Sequence, residues 1–221
     1  MIPFIKFLFL MKLYTFFRSG TSHRLRIALN LKHLKVEHIP VDLRTEEHLK
    51  HEYQAIHPQG FVPALKTPEH LLIQSPAILE WLEETYPTPA LLPKDPFDRA
   101  HVRAIAALVG CDIHPLNNRR VLEHLRKSFG SVEDQVNSWC EKWIASGFDA
   151  LESILKNSPK SGQFCFGDSP TMADVYLAPQ VESARRFKVD MNRWPIIKSI
   201  DEHCLSLEAF QLAAPALQPD A

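Results

Sequence analysis

The chain has 221 residues, enough for one domain or two small ones with a sizeable buried core. A formal net charge of −1, without an acidic or basic tail, argues against nucleic acid as a main partner. The 4 cysteines, Cys111, Cys140, Cys165 and Cys204, are widely spaced and form no C-x-x-C pair, which suggests neither a disulfide framework nor a zinc site and fits a reducing cytoplasm.

Met1 to Leu10, MIPFIKFLFL, is apolar but too short to span a bilayer, and it lacks both a basic leader region and a small-residue cleavage site. No membrane partner is expected. An apolar run, Leu13 to Phe17, then leads through Arg18-Ser-Gly-Thr-Ser22 into a segment whose Leu25, Ala28, Leu29 and Leu31 recur at helical spacing. This reads as strand, turn, helix, with the helix over Ser22 to Lys32. Ser19, Thr21 and Ser22 compete for the N-cap and its unpaired N–H groups. A hydroxyl in that place serves as a plain cap, or donates to an anion such as a thiolate beside the positive helix end. The segment has no cysteine, so a thiolate would come from a ligand.

A strand over Val36 to Val41 and a polar helical stretch over Glu46 to Ile56 follow. His48 and His51 could share a helix face there, but without a cysteine or carboxylate cluster no metal is expected. Two short extended runs, Ala64 to Lys66 and Leu71 to Gln74, precede a helix from Pro76 to Thr85. Pro76 suits a first turn because its missing N–H would be unpaired there anyway. Strands alternating with helices imply a small mixed sheet flanked by helices.

Tyr86 to Pro96 contains four prolines and reads as an ordered linker at a domain boundary, separating residues 11–92 from 97–221. Beyond it, Arg99 to Val109, Pro115 to Phe129, Val132 to Leu155, Met172 to Phe187 and Ile196 to Leu207 carry helix-period apolar residues, so the second domain is expected to be all helical. Thr171 and Asp174 make an acidic variant of the capping box, with a role in folding. His114 and Asn118, four apart, are expected on one helix face between Asp112 and Arg120. That block reads as a ligand site or as a polar network between domains. Arginine pairs bidentately with carboxylates, which makes Arg18, Arg120 and Arg186 candidates for a dianion, with Arg119 and Arg185 as solvated neighbours.

The stretches RSGTSHRLRIAL, Phe61-Val-Pro-Ala-Leu65, Leu72-Ile-Gln-Ser-Pro-Ala-Ile78 and CDIHPLNNRR, Cys111 to Arg120, together resemble the glutathione transferase family. More narrowly they are similar to its zeta class, the maleyl keto acid isomerases, over nearly the whole chain from Met11. The class pattern has two serines and a cysteine in the first turn; here Ser19, Gly20 and Thr21 stand there. The resemblance implies a thioredoxin-like glutathione-binding domain, an all-helical second domain and a homodimer. It also makes residues 1–10, which precede Met11 and the family's first strand, look like the product of an upstream start codon, expected to pack poorly. Glutathione would be the cofactor. Its sulfur would lie against Ser19, Gly20 and Thr21, its backbone against Val62 before a cis Pro63, and its γ-glutamyl carboxylate on Gln74 and Ser75. His48 and Gln59 are implied at the other end of the tripeptide, although a solvated His48 is equally open. Asp112, His114, Asn118 and Arg120 enter as further contacts, and Arg18 and Arg186 as substrate ligands.

The implied reaction is glutathione-dependent cis-trans isomerisation of maleylpyruvate or maleylacetoacetate in aromatic compound catabolism. Gly20-Thr21 and Asn117 to Arg120 favour the former. Conjugation of glutathione to small electrophiles is the alternative, for which a dianion site would be wasteful. A non-catalytic binding module would be expected to have lost the hydroxyls or the Gln74-Ser75 pair, and both are present.

Overall fold

Residues 11–221 are described in a computed structural model of the chain, so the expectation for residues 1–10 lies outside them. Their contacts divide them into two compact units, one running to Ala90 and taking in Leu207–Ala221, the other Leu91–Ser206.

The first unit carries β1 (Lys12–Thr15), α1 (Gly20–Leu31), β2 (Glu37–Pro40), α2 (His51–Gln54), β3 (Ala64–Lys66), β4 (Leu71–Ile73) and α3 (Ser75–Thr85). The sheet order is β2-β1-β3-β4, with β1 parallel to β2 and antiparallel to β3, and β3 antiparallel to β4. Leu13 sits opposite Leu65 in the β1–β3 register, and both are fully buried. Parallel pairing of β1 and β2 requires a crossover, which α1 supplies. This is the thioredoxin-like arrangement expected.

Helix α1 buries Leu25, Ile27, Ala28 and Leu29, but also His23, Arg24 and Arg26, and Lys32 just beyond it. Each buried charge needs partners to offset lost hydration. Lys32 Nζ donates to Glu83 at 2.7 Å, Tyr86 O at 2.7 Å and Pro89 O at 2.9 Å, using all three of its N–H groups. The end of α1 is thereby tied to α3 and the following chain.

The helix expected over Glu46 to Ile56 is replaced by a 3-10 turn, Glu47–Leu49, and the single turn of α2. Glu46 is left-handed (φ 60°) and Lys50 extended (ψ 150°), which breaks helical continuity twice. The Glu47 side chain instead accepts from Asp42 N at 2.8 Å. His48 and His51 therefore share no helix face.

The contact grouping also departs from the expected 97–221 domain. Residues 207–221, including α9 (Glu208–Gln211), group with the first unit because polar side chains of α1 reach them: Arg26 Nε donates to Ala213 O at 3.0 Å and Asn30 Nδ2 to Ala209 O at 2.9 Å.

The second unit holds α4 (Pro96–Ala107), α5 (Arg119–Phe129), α6 (Glu133–Asn157), α7 (Met172–Arg186) and α8 (Pro195–Ser206) and no strand, the all-helical class expected. Asp95 caps α4 by accepting from Phe97 N and Asp98 N, so the helix starts three residues earlier than its apolar period indicates. The Thr171–Asp174 box is formed: Asp174, fully buried, accepts from Thr171 N (2.7 Å), Thr171 Oγ1 (2.8 Å) and Cys165 N (2.8 Å). Between α4 and α5 the chain runs through a π turn, Leu108–Ile113, and a 3-10 turn, His114–Asn117. Gly147 of α6 lets that π turn approach closely, since a Cβ there would fall 2.3 Å from the Ile113 side chain.

Candidate active site

Three short segments of the first unit make up the candidate site. In the first, Ser19 is the N-cap of α1, and its Oγ accepts from Ser22 N at 3.2 Å. Thr21 Oγ1 lies 2.8 Å from Val62 O and 2.9 Å from Ser19 Oγ. A carbonyl only accepts, so Thr21 spends its single proton on Val62. The Ser19–Thr21 bond must then be donated by Ser19. Ser19 is thus the hydroxyl whose proton can swing to an incoming anion without breaking the tie between turn and loop. The three-way competition for the cap is settled in favour of Ser19, while the Ser22 hydroxyl is buried. Beside it His23 is buried, which, with Arg26 nearby, pushes its pKa down to about 3 and keeps the ring neutral.

In the second segment the Val62–Pro63 bond is cis, as the resemblance implied. The resemblance sets Val62 against the backbone of the ligand; its carbonyl already serves Thr21, which leaves it one lone pair. Tyr53 Oη donates to Phe61 O at 2.6 Å and steadies the approach to this bond. Gly60 (φ 62°) precedes it, and a Cβ there would meet His48 O at 2.6 Å, so glycine alone lets these two strands of loop pass.

Gln74 and Ser75 make the third. Gln74 holds φ at 69°, a conformation costing about 1–3 kcal/mol for a non-glycine residue and typical of ligand clamps. It gives α3 no side-chain cap, and Pro76 follows, so the first-turn N–H groups face outward. The Ser75 hydroxyl is buried and lacks a protein partner. A carboxylate would satisfy both. Gln74 Nε2 donates to Gln59 Oε1 at 2.6 Å, which joins this segment to the loop of Gly60 and His48. The donor set therefore fits glutathione: a hydroxyl proton able to turn from Thr21 to a thiolate, Val62 beside a cis proline for the peptide, and an orphaned hydroxyl with a bare helix N-terminus for the γ-glutamyl carboxylate.

The remaining candidates behave differently. Arg18 is exposed, its guanidinium 5.9 Å from the Phe17 ring centroid. In the second unit Asp112 is exposed in the π turn, His114 half-buried in the 3-10 turn, and Arg120 exposed in the first turn of α5. Asn118 is extended (ψ 144°) and caps α5 by accepting from Arg120 N at 3.2 Å. His114 and Asn118 thus do not share a helix face: Asn118 ends one segment and starts the next, as Asn does at caps. Arg186, exposed at the end of α7, lies over Phe187 and donates to Ser183 Oγ at 3.3 Å. Arg119 pairs with Glu123, and Arg185 with the buried Asp201 of α8, so neither is simply solvated.

Sequence reasoning missed Tyr53, Gly60 and Arg26, whose partners are distant in the chain or are backbone atoms. A glycine two residues before Val62-Pro63 was the one usable signal.

Comparison with known proteins shows the family. Residues 13–90 match the family model for the glutathione S-transferase N-terminal domain and residues 118–199 that for its C-terminal domain. A maleylpyruvate isomerase of Ralstonia sp is 62% identical over 211 residues, covering 96% of this chain and 100% of that protein. The holo structure of maleylpyruvate isomerase, described as a bacterial zeta-class glutathione S-transferase, superposes with TM-score 0.94 at 61% identity, covering 95% of this chain and 99% of the other. A maleylacetoacetate isomerase from Methylobacterium extorquens, with malonate and glutathione bound, gives TM-score 0.92 at 38% identity, covering 95% and 99%.

Proposed function

Since this chain belongs to the glutathione S-transferase family, in its zeta class, we infer that it is a glutathione-dependent cis-trans isomerase converting a maleyl keto acid to its fumaryl isomer. The observation that carries this reading is the whole-length likeness to maleylpyruvate isomerase. Maleylpyruvate is accordingly the preferred substrate and maleylacetoacetate the second.

When bound, glutathione supplies a thiolate that adds reversibly to the maleyl double bond, which turns as a single bond and re-forms trans as the thiolate leaves. The chain's own residues do the rest. Ser19 Oγ turns its proton from Thr21 to the sulfur and, at the positive end of α1, holds it deprotonated. Thr21 keeps the turn fixed to Val62 through its own hydrogen bond, and Gly20 keeps the helix start free of a side chain. Ser75 and the α3 N-terminus take the γ-glutamyl carboxylate, while Gln74, Gln59 and His48 line the same end of the unit. Arg18, Arg120 and Arg186 are proposed for the substrate carboxylates, with Asp112, His114 and Asn118 as further contacts; each is tested singly by its alanine variant.

The M. extorquens relative, solved with both malonate and glutathione bound, supports a dianionic substrate over an apolar electrophile. Dimerisation and a cytoplasmic location belong to the same reading, the latter supported by four unpaired cysteines. Among the described residues no helix is long and apolar enough to cross a membrane.

Ultraviolet absorbance of maleylpyruvate and maleylacetoacetate, followed with and without glutathione, tests the assignment. Turnover of either, strictly dependent on glutathione, is expected. No turnover with glutathione still bound would transfer the site to conjugation chemistry.

A further inference from the structure

The turn that carries Ser19 is held from outside. Phe16 and Phe17 lie between β1 and the cap residue, and the polar groups of their backbone find few local partners. Ser19 N donates to Phe16 O at 3.0 Å. The rest is supplied by side chains: Arg26 Nη2 donates to Phe17 O at 2.9 Å, Arg26 Nη1 to Phe16 O at 3.4 Å and to Thr15 Oγ1 at 3.2 Å, and Phe17 N donates to Asp220 Oδ2 at 2.9 Å. Both the N–H and the C=O of Phe17 are thus gripped by charged side chains, one from α1 and one from 203 residues further along the chain.

The two grips belong to one assembly. Arg26 is 2% exposed and also donates through Nε to Ala213 O at 3.0 Å. Gln218 Nε2, on the same tail, donates to Leu212 O at 3.0 Å and to Ala214 O at 2.9 Å, folding residues 212–218 back on themselves and delivering Asp220 to the turn. Burial pushes the proton affinity of Arg26 and His38 down and the Asp220 carboxylate offsets part of that, while Arg44, raised chiefly by its bond to Asp42, feels Asp220 only weakly. No residue of this assembly reaches the hydroxyls Ser19 and Thr21 themselves among the hydrogen bonds described. Its effect on them passes through the backbone of Phe17, two residues before Ser19.

We propose that Asp220, together with Arg26, is a positioning residue for the thiolate-holding turn: by clamping Phe17 it sets where Ser19 Oγ stands. The inference rests on the reading of Ser19 as thiolate donor. Asp220 is the better one to probe, since it is half-buried and makes one hydrogen bond to the turn, whereas removing Arg26 takes a donor from four acceptors at once.

The test measures, in the full-length protein, the thiol pKa of bound glutathione from thiolate absorbance, with kcat and KM for glutathione, in wild type, Ser19→Ala, Asp220→Ala and Asp220→Asn. Small displacements of a positioned group cost large factors in rate, so Asp220→Ala is expected to lower kcat about tenfold and raise the bound thiol pKa by about one unit. KM for glutathione should stay within about twofold, because the γ-glutamyl end is held separately at Ser75. Asp220→Asn keeps an oxygen acceptor for Phe17 N and should recover most of the loss. If Asp220→Ala lowers only the melting temperature, with thiol pKa and kcat unmoved while Ser19→Ala moves both, the clamp is merely structural and this proposal falls alone. If Ser19→Ala itself leaves the thiol pKa unmoved, the reading of Ser19 falls and the proposal with it.

Discussion

The segment of the first unit around Ser19 and the segment of the second around His114 are both irregular and polar, yet they are irregular for different reasons. Around Ser19 the backbone has few local partners and is held by charged side chains from elsewhere, Arg26 on Phe16 and Phe17 and Asp220 on Phe17, while beyond the far end of α1 the buried Lys32 holds Glu83 and two carbonyls. Around His114 a continuous helical chain changes its winding from α to π to 3-10 and restarts at an Asn cap, with Trp139 Nε1 of α6 donating to Leu116 O at 2.7 Å. In one place side chains hold an unusual backbone still; in the other a local sequence signal redirects a regular one. Ser19, the hydroxyl proposed for the thiolate, sits on backbone of the first kind.

If the first unit depends on buried ionic anchors, its largest single loss should come from Lys32. Lys32→Met removes the ammonium paired with the Glu83 carboxylate, which is 6% exposed, and is expected to cost about 3–5 kcal/mol in urea unfolding. Lys32→Met with Glu83→Leu should recover much of it, and a cost below about 1 kcal/mol for the single variant would break the comparison.

His23 sharpens the same contrast through pH. Its folded pKa of about 3 lies below the ordinary 6.5, so on acidification the unfolded chain takes the proton first. The stability contribution is fully present above about pH 6.5 and is lost as pH falls toward 3, with a slope of at most about 1.4 kcal/mol per pH unit. Urea midpoints at pH 7, 6 and 5 should fall in wild type and fall less in His23→Asn; parallel slopes would contradict a neutral buried imidazole.

The second region should be softer. Asn118→Ala removes one cap bond to Arg120 N and is expected to cost about 1 kcal/mol in the melting of the helical unit. A loss as large as that of Lys32→Met would mean the two regions are built alike after all.

What was legible in the sequence follows the same division. The strand-turn-helix over Leu13 to Lys32, Pro76 in a first turn, and the Thr171–Asp174 box are local patterns, and local hydrogen bonds realise them. Ser19 as a cap was legible as one of three hydroxyls, but choosing it needed Val62, forty-one positions away along the chain, to claim the Thr21 proton. The break at Glu46 and Lys50 was hidden because a helix-compatible polar composition also suits a chain pinned by Glu47 to Asp42 N. Asn118 could have been read as a cap rather than a helix interior residue, since Asn preceding two arginines and an apolar run is a start signal. The tail of 207–221 returning to α1 had no local signature at all: Arg26 lies between Leu25 and Ile27, and only the fold reveals that it donates to Ala213 O.

The measurement that bears most directly on the central claim is kcat for maleylpyruvate in Ser19→Ala and Thr21→Ala, side by side at saturating glutathione. Loss of a hydrogen-bond donor to developing or resident anionic charge at an active site costs about 100-fold or more, so Ser19→Ala is expected to fall by that factor. Thr21→Ala, which loosens the turn from Val62 but leaves the Ser19 proton, should fall by about tenfold or less. The reverse order, with Thr21→Ala the more damaging, would contradict the assignment of Ser19 as the thiolate's partner.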